Sequence, residues 1–338
     1  MGKADIFESD YLDNAEIFAD LVNGVLYQGE RVVKPEELQE QDGELRSILG
    51  KNVKKTIRDK VKLWNGTAIA VFAVENQTKV DYHMVLRAML SEAMAYDRQW
   101  KKLKDERKAE QKKKEESFGK EKESGEERVL EKKDLTADEF ISGMRKEDKF
   151  VPVITIVVYY GQERPWDGAR TLYELLDVKG EEKRILPFIS DYRLNIFDYH
   201  AYEDFGQFHS ELQQVFEFLR YANNRKLLEE KMEKQRDLYG KLSNQAKVLL
   251  TQITNIKKIP NVKEEQLKKG EFVMCKAFED MKEEGRLEGL IEGGAREIVE
   301  MGQEFGLTDE NILRRLQNRL NITIEEAERF FGMFRQQA

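Results

Sequence analysis

Two apolar runs, the uninterrupted Ala68–Val74 (AIAVFAV) and the β-branched-rich Val151–Tyr160 (VPVITIVVYY), constrain this chain more than any other feature. A strand with one wet face alternates apolar and polar residues, so a run without alternation has to be covered on both faces. Both runs have strand length, well short of the ~20 apolar residues that a membrane span needs. They call for an α/β fold: a mixed central sheet flanked by helices, followed by a helical C-terminal region.

The flanking sequence supplies the helices. Ala15–Leu26 sets Ile17, Phe18, Leu21, Val22 and Val25 at helical spacing. Gln28–Leu49 is polar, contains Pro35, and predicts a connection made of short turns. Lys54–Leu63 alternates Ile57, Val61 and Leu63 with polar residues, the period of a half-buried strand. Asn65-Gly66 then predicts a hairpin turn into the first apolar run, which ends abruptly in Glu75-Asn76-Gln77. From Tyr82 to about Leu103 the pattern is helical again, with Met84, Leu86, Met89, Leu90, Met94 and Trp100. The charge run Asp105–Lys133 has too few apolar residues to offer a core face and is expected to be an exposed insertion, part helix and part disorder. Tyr192–Tyr199 predicts a further strand. Everything after about Phe208 reads as helix, beginning with Leu212, Val215, Phe216, Phe218 and Leu219.

Within Glu284–Ile298 a Glu-Gly pair recurs every four residues. A mid-helix glycine costs about 1 kcal/mol relative to alanine. The repeat therefore points to close backbone approach along one helix face or to a frayed segment. Thr308–Gln317 and Thr323–Phe331 predict two short helices, the second opened by the capping box Thr323-Ile324-Glu325-Glu326. The expected organisation is an α/β domain over residues 1–207 and a helical region over 208–338.

A formal net charge of -8 argues mildly against a nucleic-acid partner, because phosphate binding needs a positive surface. Charge is unevenly spread, however. Between Lys51 and Lys62 the basic residues Lys51, Lys54, Lys55, Arg58, Lys60 and Lys62 surround a lone acid, Asp59. The single cysteine, Cys275, excludes an internal disulfide and a cysteine-rich zinc site. A cytoplasmic protein is expected. The start, MGKADIFESDYLD, lacks the apolar core of an export signal, and Ile6 stands where a myristoylation signal wants Ser or Thr. His83, His200 and His209 have no metal-ligand spacing and are expected to be structural.

Glu75 and Gln77 are two apart on a strand and leave it on the same face. A carboxylate at the open end of a buried strand is expensive unless something binds it. Asp59, on the preceding strand, supplies a second. Two carboxylates joined by a hairpin make a hard-oxygen site suited to magnesium, which activates water for phosphodiester cleavage. Lys54, Lys55, Arg58 and Lys60 would hold the DNA backbone. A strict two-residue turn at Asn65-Gly66 would set Asp59 against Phe72, on the face opposite Glu75. An odd-length loop or a bulge is required to bring the two acids to one face.

The run RDKVKLWNGTAIAVFAVENQTKVDYHMVLRAML, preceded by IFADLVNGVLY and followed by ISGMRKEDKFVPVITIVVYYG and PWDGARTLYELL, resembles the recombination-promoting nuclease / putative transposase family, part of the PD-(D/E)xK superfamily. The resemblance covers about Ala15 to Leu219 and the Glu-Gly-rich tail. It implies a restriction-endonuclease-like fold, a role in recombination, mobile elements or defence, and Asp59 and Glu75 as the metal-binding acids. Gln77 then stands where the usual pattern has lysine; a neutral amide can orient water but brings no positive charge. The resemblance also marks Asp20 as an additional acid, and it sets Arg87 where it could face the metal edge. Two other readings stay open: a non-catalytic DNA-binding or transposon-associated protein, and a scaffold that forms homo-oligomers through its C-terminal helices.

Overall fold

The computed structural model describes residues 10–40, 44–49, 52–57, 60–64, 70–124, 136–257 and 259–335; within these, the side chains of 44–49, 52–57, 60, 70–76, 110–111, 113–124, 225, 282 and 284 fall outside the description. The helices are α1 (Ala15–Leu26), α2 (Met84–Ser124), α3 (Ala137–Ser142), α4 (Glu182–Ile185), α5 (Leu212–Tyr221), α6 (Arg225–Lys234), α7 (Arg236–Gly240), α8 (Asn244–Ile253), α9 (Glu264–Lys269), α10 (Met274–Glu304), α11 (Asp309–Leu320) and α12 (Ile324–Arg335). The strands are β1 (Leu38–Glu40), β2 (Glu44–Leu49), β3 (Asn52–Ile57), β4 (Lys60–Trp64), β5 (Ala70–Gln77), β6 (Val153–Tyr159) and β7 (Asn195–Asp198). The protein is thus mixed α/β and mostly helical, with two small sheets.

The larger sheet runs β1-β4-β5-β6-β7. Its first pairings, β1 with β4 and β4 with β5, are antiparallel; β5, β6 and β7 are parallel. The two apolar runs therefore lie side by side at its centre, with Glu75 opposite Val157 and Gln77 opposite Tyr159. One face is covered by the start of α2, where Met84, Val85 and Ala88 pack on Val157, Tyr159 and Trp166. On the other, Phe197 of β7 meets the rings of Phe208 and Phe216 at 5.3 and 4.6 Å. Burying an aromatic of this size contributes roughly 1.5–3 kcal/mol. Helix α1 joins that cluster through Gly24, where a Cβ would sit 2.2 Å from the ring of Phe208. Its N-cap is Asn14, whose side chain accepts from the amide of Glu16 at 2.9 Å.

Four sequence expectations need correction. The stretch 28–49 is more than turns: it contains β1 and β2. The strand expected over Lys54–Leu63 is two strands in two sheets, since β3 pairs only with β2 in a separate two-stranded sheet while β4 joins the larger one. The two-residue turn at Asn65-Gly66 is excluded, because residues 65–69 all lie between the paired ends Trp64 and Ala70. The helix expected to end near Leu103 continues through much of the charge run to Ser124; Glu, Lys, Arg, Ala and Gln are strong helix formers even without an apolar stripe. Residues 125–135 of the run lie outside the described residues.

The chain divides into two compact units, one of residues 1–234 and 243–255, which holds the sheets, and one of residues 235–242 and 256–338. In the second, α10, α11 and α12 enclose an apolar core of Ala295, Val299, Ile312, Leu316, Ala327, Phe330, Phe331 and Phe334. The capping box at Thr323 is formed, with Glu326 Oε2 accepting from the Thr323 amide at 2.9 Å and Thr323 Oγ1 from the Glu326 amide at 3.3 Å. The Glu-Gly segment lies within the continuous helix α10. A Cβ at Gly289 or Gly293 would meet nothing within 4 Å, so these two glycines make no close approach within their unit. That role belongs to Gly294 and Gly302, where a Cβ would lie 2.9 Å from Leu320 and 2.7 Å from Ile312.

Candidate functional site

Glu75 and Gln77 occupy the C-terminal end of β5, where the parallel strands open toward their connecting loops. Ligands of open α/β sheets bind outside the carboxyl ends of the strands. Gln77 is half-buried, and its carbonyl accepts from the Tyr160 amide at 2.7 Å, so the backbone here is locked to β6. Glu75 lies one step beyond the last pair of the β4–β5 ladder, Lys60 with Val74. Its side chain, like Asp59 and Arg58 entirely, falls outside the description. Between the paired ends Trp64 and Ala70 lies an odd number of residues, the parity that a shared face demands.

The expected basic residues are divided between two sheets, and Lys51 and Arg58 lie outside the described residues. Lys54 and Lys55 belong to β3 and the small sheet, Lys60 to β4 and the large one. Lys62 is buried: its Nζ donates to the Asp13 carbonyl at 2.8 Å, lies 3.4 Å from Glu40 Oε1 and sits 5.4 Å from the Phe18 ring. A lysine so held ties β4 to the start of α1 and to β1, and it is not available to a phosphate.

Asp20, expected as an additional acid, is held by hydrogen bonds within the fold. It is buried on α1, and its two oxygens accept from the amides of His209 (2.9 and 3.0 Å) and Ser210 (2.8 Å) and from Ser210 Oγ (2.5 Å). These bonds pin the segment leading into α5 against α1. Nothing in the spacing of α1 could announce a partner 189 residues away. Arg87 pairs with Asp81, its Nη1 3.4 Å from Oδ2, while Asp81 Oδ1 accepts from the His83 amide at 2.9 Å.

A polar cluster at the same sheet edge escaped the sequence reading. Asp198, the last residue of β7, is buried beside Tyr159 in the ladder. Its Oδ1 accepts from the His200 amide at 3.1 Å and faces His200 Nδ1 at 2.7 Å; its Oδ2 accepts from the Trp166 amide at 2.8 Å. Burial pushes this carboxyl up, but the His200 ring, the two amides and the His200 charge together hold it below the usual carboxylate range. The His200 ring stacks on Tyr199 at 4.1 Å, and Tyr199 donates to the Gly161 carbonyl at 2.6 Å. The only signal was a bare Asp-x-His spacing.

No protein family, characterised protein or solved structure gives a match to this chain. Chemistry therefore has to be argued from the residues themselves. Among the described residues no three His, Cys, Asp or Glu side chains converge as a metal site. Asp59 and the Glu75 side chain, the acids expected to hold a metal, lie outside what is described. Two carboxylates suffice for magnesium, which keeps several of its waters. Among the described residues no helix is long and apolar enough to cross a membrane.

Proposed function

We propose that this chain is a magnesium-dependent DNA endonuclease with a restriction-endonuclease-like fold, acting in recombination, mobile elements or defence. The observation that carries this reading is the register of the β4–β5 hairpin. Were the register from Trp64–Ala70 to Lys60–Val74 continued by one step, position 59 would stand opposite Glu75 and the two acids would share a face. The sequence resemblance and the mixed sheet flanked by helices support it further.

In this reading Asp59 and Glu75 hold the ion, which when bound supplies Lewis acidity and a more acidic water. Gln77, on the same face as Glu75, orients that water by its amide, and Lys54, Lys55, Arg58 and Lys60 contact backbone phosphates. Arg87, which pairs with Asp81, or a basic residue between Lys51 and Lys62 would supply the charge that lysine brings in the usual motif. Homo-oligomers would form through the C-terminal helices, where Leu287 and Leu290 of α10 are exposed.

Plasmid nicking with and without magnesium tests the proposal. Purified wild-type chain should nick only with the metal. Asp59→Ala and Glu75→Ala should each lower the rate by at least about a hundredfold, the order of loss when a main electrostatic group is removed. Wild-type rates in either folded variant would overturn the site, and DNA binding without nicking would favour the non-catalytic reading.

A further inference from the structure

The carboxyl edge of the large sheet carries a second built feature, the Asp198–His200 pair, and it lies in the same row as the proposed catalytic strand. Gln77 is opposite Tyr159, and Tyr159 is opposite Asp198. Neighbouring strands lie about 4.8 Å apart, so Gln77 and Asp198 are about 10 Å apart along the edge. The His200 ring leans back toward the middle strand, 6.1 Å from the ring of Tyr159. One nucleic-acid strand lying across this edge would reach both ends of the row.

The pair is held more firmly than a surface histidine requires. Asp198 is almost wholly buried, and both its oxygens are engaged. An ionised carboxylate only accepts, so the nitrogen facing it, Nδ1, carries a hydrogen, and Nε2 is the nitrogen left for another group. Tyr199 stacks under the ring and is itself fixed by Gly161 and by Gln162 Nε2 at 2.6 Å. Among the described residues Nε2 has no hydrogen-bond partner, and the side chain keeps 13% exposure. A fixed ring with one unused nitrogen at a ligand-binding edge is an oriented contact in need of a ligand.

We propose that His200, positioned by Asp198, is a phosphate-binding residue that grips the substrate backbone beside the strand bearing Glu75 and Gln77. This rests on the nuclease reading for the identity of the substrate. A phosphate oxygen only accepts, so Nε2 donates to it from the imidazolium form, and the ring then lies between Asp198 and the phosphate with charges balanced on either side. The titratable groups facing the ring are Asp198 from β7, Tyr159 from β6 and Tyr199 from its own turn. Burial first, and then the Asp198 charge, raises both tyrosines, which stay neutral there. Asp198 is left to supply the charge beside the ring.

The test is calorimetric titration of the full chain, with divalent ions chelated, using a short DNA oligonucleotide in one arm and inorganic phosphate in the other. His200→Asn should bind the oligonucleotide roughly ten- to a hundredfold more weakly than the wild-type chain, the loss expected of one charge-assisted hydrogen bond. Asparagine keeps a donor toward Asp198, so the thermal midpoint should stay put. Equal affinity for inorganic phosphate would support the contact but make a free phosphate its ligand. In ¹⁵N-histidine spectra of the wild-type chain, the Nε2 signal of His200 should shift as the probe is added, a readout needing no variant. Unchanged affinity for both probes in His200→Asn, or an Nε2 signal that neither probe moves, would overturn the inference. Magnesium-dependent nicking untouched by His200→Asn would then leave the nuclease standing; His200-dependent binding by a chain that nicks nothing would do the reverse.

Discussion

Among the described residues the sheet-bearing unit buries whole polar and charged side chains, whereas the α10–α12 core cluster is apolar, although Gln303 Oε1 on α10 is buried without a hydrogen-bond partner there. Among the described residues the buried polar and charged side chains, from Asp20, Asn23 and Lys62 through Asp198 to Lys247 and Thr251, all fall in the sheet-bearing unit. The core of α10, α11 and α12 is alanine, valine, isoleucine, leucine and phenylalanine, and the nearby ion pairs, such as Arg335 with Asp309 and Arg286 with Glu283, are exposed. Burying a polar group is unfavourable unless it is paired, so an apolar core is accounted for by stability alone, while a polar one asks what each group is for. Asp20 and Lys62 answer with backbone partners. The edge that carries Glu75, Gln77 and the Asp198–His200 pair is where chemistry remains to be explained.

The contrast can be broken by substitution. Phe334→Ala should have the largest effect on stability, a loss of about 3–5 kcal/mol from an emptied core position. Because that core serves stability, nicking per folded molecule should not change. Asp20→Ala should be next, about 1–3 kcal/mol, because it takes the acceptor from the part-buried amides of His209 and Ser210. It too should leave magnesium-dependent nicking intact. Denaturant titration of both variants, paired with nicking assays, checks the ranking; a folded Asp20→Ala without activity would return Asp20 to the site.

Elements whose patterning is local were legible in the sequence: α1 begins and ends where its apolar spacing does, and the Thr323 capping box is formed. The apolar runs gave the two central strands, although β5 extends through Glu75-Asn76-Gln77. What escaped depended on partners distant in sequence. Lys62 reads as one more surface lysine until Asp13 and Glu40 close on it, and Asp20 as a possible ligand until the chain returns at Ser210. The break between β3 and β4 escaped because a period of two runs straight across it. For the candidate site, the sequence named the acids and the required parity; the Asp198–His200 pair needed the fold.

Smaller effects sharpen the comparison inside the helical unit. Gly302→Ala should cost about 1–3 kcal/mol, since its Cβ would press on Ile312 Cγ1 and Cδ1 at 2.7 and 2.9 Å. Gly289→Ala, with open space around it, should instead stabilise helix α10 by up to about 1 kcal/mol. Thermal unfolding of the two variants should therefore shift in opposite directions. Should Gly289→Ala destabilise an oligomer in sedimentation, a second chain lies against that face.

The central claim, that Asp59 and Glu75 jointly hold a divalent ion, is tested most directly by metal binding itself. Manganese bound to the full chain, read by electron paramagnetic resonance and displaced by magnesium, counts the site without requiring turnover. The wild-type chain should bind one ion that magnesium displaces, and Asp59→Ala and Glu75→Ala should each weaken it by at least about tenfold, the loss of one of two charged ligands. Equal manganese affinity in all three proteins, or no displaceable manganese in the wild type, would contradict the account.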